Sequence, residues 1–162
     1  MQKYIGTKEI KAAPMSRGEY NKLRGWEIPA EENPNDEGYL VEYVDSKKNH
    51  PNFDGYISWS PKNVFEAAYQ NISEGFDFGS AIRFLKQGKR VARKGWNGKG
   101  MFLFLVEGSK FTVNREPLLS IFGEGAEVDY CPHIDMKTAD EKIVPWLASQ
   151  TDVLAIDWVL VE

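Results

Sequence analysis

The chain has 162 residues, of which 42% are hydrophobic and 27% are charged. This composition is typical of one ordinary globular domain or two small ones, and it excludes a wholly disordered chain, a collagen and a coiled coil. The net charge of −4 is unevenly distributed, because residues 78–101 carry seven lysines and arginines and no acidic residue, whereas residues 1–77 and 102–162 are net acidic. The basic segment is therefore the first candidate for binding an anion.

The first half of the chain predicts a small module of short elements. A capping box that begins at Ser16 predicts a helix through about Arg24. Segments 39–44 and 56–59 are rich in aromatic and β-branched residues, which predicts two partner strands. A serine followed by Pro61 then predicts a second helix with the proline in its first turn.

The second half predicts one helix followed mainly by strands. After a polar segment over 71–77 that is typical of a linker, Asp77 can cap a helix that ends before Gly88. The segment 101–106 predicts a strand buried on both faces. We expect an α+β fold, an antiparallel sheet with short helices packed on one side, plus a small N-terminal α+β module. The other predicted elements are strands over 90–93, 134–138, 142–144 and 157–161 and a helix over 147–154.

Several classes of protein are not favoured by the remaining composition. The longest apolar run, residues 101–106, is too short to span a membrane, which needs about 20 residues. One cysteine and two histidines cannot form a disulfide framework or a zinc cluster of the usual kind, so neither a metal nor a cofactor is expected. Cys131 and His133 are separated by a proline and lack an orienting third group, so the chain is not predicted to be an enzyme.

Residues 93–100 are the first candidate site. Three glycines permit the backbone to approach a ligand closely, and consecutive N–H groups in such a loop can bind an anion. Trp96 offers a face on which a base can stack. A charged hairpin turn with Trp96 anchored in the core explains the same residues, and on spacing alone it is the preferred interpretation. The other candidates in the loop are the cations for a phosphate and one polar partner, Arg93, Lys94, Lys99 and Asn97.

Residues 144–152 are the second candidate site. Hydroxyl groups lie near the start of a predicted short helix, where free N–H groups and the helix dipole favour an anion, and Trp146 lies just upstream. A capped helix with a buried tryptophan is the preferred interpretation of these residues when they are taken alone. The polar candidates are Ser149, Gln150, Thr151 and Asp152.

The motifs RKGWNGKG at 93–100 and PWLASQTD at 145–152 resemble those of a phage family. They are similar to the second of the Thoeris anti-defence families, small proteins of phages and prophages, and the similarity covers about residues 76–162. The resemblance implies a domain that binds a nucleotide second messenger and sequesters it intact. The ligand of the family is a glycocyclic ADP-ribose isomer made by TIR-domain proteins, and some members also hold cyclic dinucleotides. The resemblance further implies that Trp96 and Trp146 sandwich the adenine.

The resemblance also implies a homo-oligomer, a tetramer or a dimer, with pockets at subunit interfaces. We therefore expect residues 76–162 to be a sponge domain for the cyclic nucleotide that acts in the cytoplasm of the infected host, with no membrane partner. Residues 1–75 are expected to be an accessory module, because RGW at 24–26 and YISWSP at 56–61 resemble a module found ahead of this domain in some phage proteins. The alternative is a nucleic-acid-binding module that uses the basic residues 83–99, which the acidic remainder of the chain does not favour.

Overall fold

The computed structural model describes residues 1–162 and contains two compact units. The N-terminal unit is Met1–Gln70 and the C-terminal unit is Asn71–Glu162. Both combine short helices with antiparallel sheets, so the predicted α+β fold is confirmed. None of the helices has the length and apolar character that a membrane crossing requires. The functional boundary after residue 75 stays a prediction.

The N-terminal unit is a three-stranded antiparallel sheet, in the order β1–β2–β3, with two helices. The predicted capping box is confirmed: the Ser16 hydroxyl accepts the backbone N–H of Glu19, and the Glu19 carboxylate accepts the backbone N–H of Ser16. Gly25 follows the helix with a positive φ of 69° and closes its last turn. The elements are β1 (Lys11–Pro14), α1 (Arg17–Arg24), β2 (Gly38–Tyr43), β3 (Tyr56–Pro61) and α2 (Lys62–Ala68).

The core of the N-terminal unit is small. Tyr20 of α1 packs with Leu40 of β2 and Ile57 of β3, and all three side chains are buried. The prediction that Pro61 lies in the first turn of α2 is wrong by one residue. Pro61 pairs with Gly38 at the end of β3, so its backbone is extended and the helix begins after it.

The C-terminal unit is built on a five-stranded antiparallel sheet in the order β10–β4–β5–β8–β9. Helix α3 packs against β4, β5 and β10, and a separate two-stranded sheet joins β6 to β7. The elements are α3 (Phe78–Lys86), β4 (Arg90–Arg93), β5 (Phe102–Val106), β6 (Ser109–Thr112), α4 (Leu118–Phe122), β7 (Glu127–Tyr130), β8 (His133–Lys137), β9 (Ile143–Pro145), α5 (Gln150–Val153) and β10 (Trp158–Val161).

Several predicted elements of this unit are confirmed and others need correction. The Asp77 carboxylate caps α3 by accepting the backbone N–H of Ser80 at 2.7 Å. The prediction that β5 is buried on both faces is wrong, because Leu103 is its only fully buried residue. Alternate residues of a strand face opposite sides, and Phe102 and Phe104 lie on the side away from the core. The helix predicted over 147–154 is shorter than predicted, because α5 spans only Gln150–Val153. The elements β6, α4 and β7 were not predicted, because residues 107–130 have only a weak hydrophobic pattern.

Trp158 lies at the centre of the core of the C-terminal unit. Its side chain is fully buried and packs among residues of α3, β4 and β5. Phe76, which belongs to the polar segment predicted as a linker, is also fully buried. It exchanges two backbone hydrogen bonds with Trp158, of 2.9 and 3.1 Å, so the end of that segment forms part of the core.

Candidate functional site

The two motifs meet on one buried tryptophan. The ring of Trp96 stands edge-on to Trp158 with centroids 5.6 Å apart, and Trp146 stands edge-on to the same ring at 6.1 Å. Edge-to-face packing of this kind is favourable for aromatic rings. Both outer tryptophans are half-buried. The fold therefore brings together two candidate stacking residues that are 50 positions apart in the sequence. With Phe78, which tilts against Trp146 and Trp158, they form the aromatic cluster.

Strand pairing explains why the first motif lies here. Arg93, the last residue of β4, pairs directly with Trp158 of β10, so the turn that follows β4 begins beside the buried ring. That turn, residues 94–100, is called the Trp96 loop below. A backbone bond from Trp96 to the carbonyl of Arg93 tightens its first turn at 3.3 Å.

The second motif reaches the same place from the opposite edge of the sheet. Trp146 follows β9, and its backbone N–H donates to Ile134 of β8 at 3.0 Å. Helix α5 begins four residues later, at Gln150, and its N-cap Ser149 forms a capping box with Asp152. The Ser149 hydroxyl donates to Asp152 Oδ2 at 2.6 Å, and the backbone N–H of Asp152 donates back to Ser149 Oγ at 3.2 Å.

A charged network joins the two motifs beneath the aromatic cluster. Arg93 Nε donates to Asp157 Oδ1 at 2.8 Å, and Arg93 Nη1 donates to Asp152 Oδ1 at 3.0 Å. Asp157 Oδ2 accepts the backbone N–H of Gly95 at 3.0 Å. The carbonyl of Asp152 accepts the indole N–H of Trp158 at 3.1 Å. The side chains that interact with Arg93 are thus also bonded to the Trp96 loop and to the start of α5.

These contacts fix the charge state of the network. The hydrogen bond from Arg93 holds the pKa of Asp157 below its ordinary value, against the opposing effect of burial. Burial raises the pKa of Asp152, but hydrogen bonds from Ser149 and Arg93 outweigh it, and the net shift is downward. Hydrogen bonds to Asp157 and Asp152 raise the pKa of Arg93. At neutral pH, the network therefore contains one positive charge and two negative charges.

The remaining candidates divide into partnered and unpartnered side chains. Lys94 Nζ donates to the carbonyl of Glu74 at 2.6 Å, and the Thr151 hydroxyl lies 2.8 Å from that of Ser149. Among the candidate residues, the exposed side chains that make no hydrogen bond within the chain are Asn97, Lys99 and Gln150. These three are the candidates that can contact a ligand without breaking an internal contact.

Two other places in the chain do not fit an anionic or catalytic site. A cavity of about 400 Å³ lies in the N-terminal unit, but it presents Glu19, Glu37 and Glu66 against a single cation, Lys62. The imidazole Nδ1 of His133 lies 3.0 Å from the backbone carbonyl oxygen of Cys131. Because this contact is with the backbone and not with the Cys131 thiol, it does not activate the thiol. No group of three histidine, cysteine or acidic side chains is placed to hold a metal ion.

Three residues of this region were not identified as site residues from sequence. Phe78 and Trp158 have the apolar character of ordinary core positions, and Asp157 is one of many carboxylates in an acidic segment. The connection of Trp158 and Asp157 to the first motif depends on the pairing of β4 with β10, which brings residue 93 opposite residue 158, and Phe78 reaches the cluster from α3. No short-range signal in the sequence encodes that pairing.

Comparisons with known proteins match the part of the chain that carries both motifs. The family model described as the Thoeris anti-defense 2-like domain (Tad2-like) matches residues 76–161. A curated protein from Bacillus phage SP01, named Thoeris anti-defense 2, is 48% identical over 89 residues. The match covers 52% of this chain and 92% of that relative.

Proposed function

Because the chain belongs to the Thoeris anti-defense 2-like family, we propose that it is a phage anti-defence protein that binds a cyclic nucleotide signal and keeps it from its effector. The ligand class is the glycocyclic ADP-ribose of TIR-based Thoeris immunity, and cyclic dinucleotides are the second class to test. Such a signal is made inside the infected bacterium, so the proposed place of action is the host cytoplasm.

The observation that carries this proposal is the packing of Trp96 and Trp146 against one buried ring. A base that stacks on an aromatic side chain gains about 1–3 kcal/mol, and two such faces can hold one adenine. The rings keep their positions because Trp158 is fully buried between the two motifs. Lys99 and Asn97 in the Trp96 loop, with Gln150 at the start of α5, are proposed as polar contacts to the phosphates and riboses.

Sequestration requires affinity and no chemical step. Nanomolar binding corresponds to about −12 kcal/mol, which aromatic stacking and charge-assisted contacts to a pyrophosphate can jointly supply. The two carboxylates nearest the aromatic cluster, Asp152 and Asp157, are ionised and bonded to Arg93. Neither is a free general acid or base, which supports a binding protein over an enzyme.

Exposed aliphatic side chains near the second motif support a homo-oligomer. Leu147 lies within the PWLASQTD motif and is 90% exposed, and Leu154 and Ile156 follow the motif and are 77% and 74% exposed. Large exposed apolar side chains of this kind are typical of an interaction site. We propose that a second copy covers them in a dimer or tetramer. Light scattering should show dissociation for Leu154→Glu but not for Ile121→Glu, a matched exposed position on α4.

The direct test is calorimetry with glycocyclic ADP-ribose. Trp96→Ala and Trp146→Ala should each weaken binding by about fivefold to 150-fold, which corresponds to the loss of one stacking face. Trp26→Ala is the matched control, because Trp26 is a half-exposed tryptophan in the N-terminal unit and should have no effect. Undiminished binding by both site variants would overturn the pocket assignment.

A second measurement separates sequestration from hydrolysis. Heating the complex and analysing the released ligand by chromatography should return the intact cyclic nucleotide. Recovery of a cleaved product would identify an enzyme and overturn the sponge function.

The nucleic-acid alternative has less support than the sponge function, because some of the basic residues 83–99 are engaged within the chain. Arg90 lies over the ring of Phe102 at 5.1 Å, and Arg93 is bonded to two carboxylates. Arg83 and Lys86, which are exposed on α3, are the cations on which this alternative would depend. A gel shift with single-stranded and duplex DNA and with RNA at low and high salt tests it, because binding through phosphates weakens steeply with salt. Strong salt-dependent binding would favour the alternative.

A further inference from the structure

We propose that Asp157, acting through Arg93, is a positioning residue that holds the Trp96 loop and the start of α5 in one arrangement. In that arrangement both candidate stacking tryptophans face the ligand together. The inference rests on the proposed function, since its consequence is measured partly as affinity for the cyclic nucleotide.

Asp157 holds the Trp96 loop at two points and the arginine that precedes the loop at a third. Its Oδ1 accepts Arg93 Nε at 2.8 Å, its Oδ2 accepts the Gly95 N–H at 3.0 Å, and its carbonyl accepts the Lys94 N–H at 3.1 Å. The absence of a side chain at Gly95 matters here, because a Cβ would lie 3.1 Å from Asp157 Oδ2. The residue immediately before Trp96 is therefore fixed by a charge-assisted hydrogen bond.

Arg93 extends this hold to the second motif. Its Nη1 donates to Asp152 Oδ1, while Asp152 Oδ2 accepts both the hydroxyl and the backbone N–H of Ser149, at 2.6 and 3.1 Å. The same aspartate accepts the indole N–H of Trp158 through its carbonyl. One chain of hydrogen bonds thus runs from the Trp96 loop, through Asp157 and Arg93, to the start of α5.

The geometry also assigns Arg93 a role other than direct contact with phosphate. Its side chain is 19% exposed, and its two partners are 12% and 30% exposed, so the three groups are largely shielded from water. A phosphate would have to compete with two carboxylates already bonded to the guanidinium. Lys99, which is exposed and has no partner within the chain, is the cation of the loop that remains available.

The test compares Asp157→Asn with Asp129→Asn, a control at an exposed carboxylate of β7 that forms only a 3.7 Å ion pair with Lys110. Three readouts are needed: affinity for glycocyclic ADP-ribose, hydrogen exchange of the Gly95 amide, and the near-ultraviolet circular dichroism of the tryptophans. Asp157→Asn should weaken binding by about tenfold to a hundredfold, as expected for a lost charge-assisted bond, and should accelerate exchange at Gly95. The control should leave all three unchanged.

A double-mutant cycle separates positioning from a general loss of stability. If Asp157 acts through Trp96, the effects of Asp157→Asn and Trp96→Phe on affinity should be non-additive, with the double variant close to the weaker single variant. Additive effects, or unchanged affinity despite faster exchange at Gly95, would overturn the positioning role and leave the sponge function intact.

Failure of the proposed function gives a different result. If the wild-type chain binds no cyclic nucleotide, the sponge function is overturned, whereas exchange at Gly95 and the tryptophan dichroism still decide whether Asp157 orders the loop. Should Asp157→Asn not fold, Arg93→Lys serves in its place, because lysine keeps the charge but cannot donate from two nitrogens of a planar fork. Full affinity in Arg93→Lys, with unchanged exchange and dichroism, would overturn the proposal.

Discussion

Each unit holds one carboxylate almost out of contact with water, but the hydrogen-bond donors that stabilise it differ between the two units. In the N-terminal unit, Glu42 accepts the backbone N–H groups of Asp54 and Gly55 at 2.7 and 3.0 Å. In the C-terminal unit, Asp152 is bonded to the Arg93 side chain and to Ser149. Backbone donors close a local turn, whereas a long arginine side chain can connect segments that are distant in sequence.

This contrast indicates why the candidate ligand site lies in the C-terminal unit. The carboxylate network of the N-terminal unit secures the turn that precedes β3 and has no tryptophan attached to it. The network of the C-terminal unit ends on two loops, and each loop carries a half-buried tryptophan. Variants at matched positions of the two units test whether the two networks differ in this way.

The largest expected effect follows truncation of a core residue. Trp158→Ala should lower the free energy of unfolding of the C-terminal unit by about 3–5 kcal/mol, because it leaves a large cavity beneath both tryptophans. Ile57→Ala, at the fully buried centre of the smaller core, should cost about 2–4 kcal/mol in the N-terminal unit. Urea unfolding followed by amide exchange of each unit measures both effects. A Trp158→Ala protein with unaltered stability would contradict the assigned core.

A smaller effect is expected when the network loses its cation. Arg93→Met should destabilise the C-terminal unit by about 2–3 kcal/mol, because it leaves the buried Asp152 and the half-buried Asp157 without their partner. Arg17→Met is the matched variant of the N-terminal unit, where Arg17 bonds Glu32 through two nitrogens at a more exposed position. Its effect should be clearly smaller because solvent screens that pair. Equal losses in the same denaturation assay would contradict the special role of the Arg93 network.

Acidification should weaken the C-terminal unit through the same network. The pKa values of Asp152 and Asp157 lie below the ordinary value of about 3.9, so their contribution to stability is complete above that pH and is lost as the pH falls through the lowered values. Urea midpoints measured from pH 6 down to pH 3 should therefore fall below about pH 4. The fall should be shallower in Arg93→Met, and an identical slope in both proteins would contradict this assignment.

The smallest effect concerns the two capping boxes. Ser149→Ala should cost about 1 kcal/mol, because the buried Asp152 loses its 2.6 Å bond to the hydroxyl. Ser16→Ala should cost less, since the bond from the Glu19 N–H to the Ser16 hydroxyl lies at the surface. Thermal unfolding of both variants checks the order, which the reverse ranking would refute.

Sequence reasoning predicted the local elements best where a side chain acts on its own neighbours. The capping box at Ser16 and the cap at Asp77 depend on contacts between residues three positions apart, so their patterns are visible in the sequence. The strand over 101–106 was found, but its burial was not, because burial depends on what covers each face. Strands β6 and β7, within residues 107–130, were not predicted, because each has only four residues and its pattern is too short to stand out among the surrounding turn residues.

For the candidate site, the motifs identified the residues but not the contacts between them. Trp96 and Trp146 were singled out as stacking candidates, and that role stays a prediction. Arg93 and Lys99 looked alike as cations of one loop, whereas the fold bonds Arg93 to two aspartates and leaves Lys99 free. Whether a cation is available to a ligand depends on partners about 60 residues away.

The α+β character, the helix caps at Ser16 and Asp77 and the two motifs that carry the family resemblance can all be read from the sequence. Each of these depends on residue types within a few positions of one another. The support that Trp158 gives to both tryptophans, and the connection of their loops through Asp157 and Arg93, can be read only from the folded chain. The reason is that antiparallel pairing of β4 with β10 brings positions 93 and 158 together, and such long-range pairing is a property of the whole packed sheet.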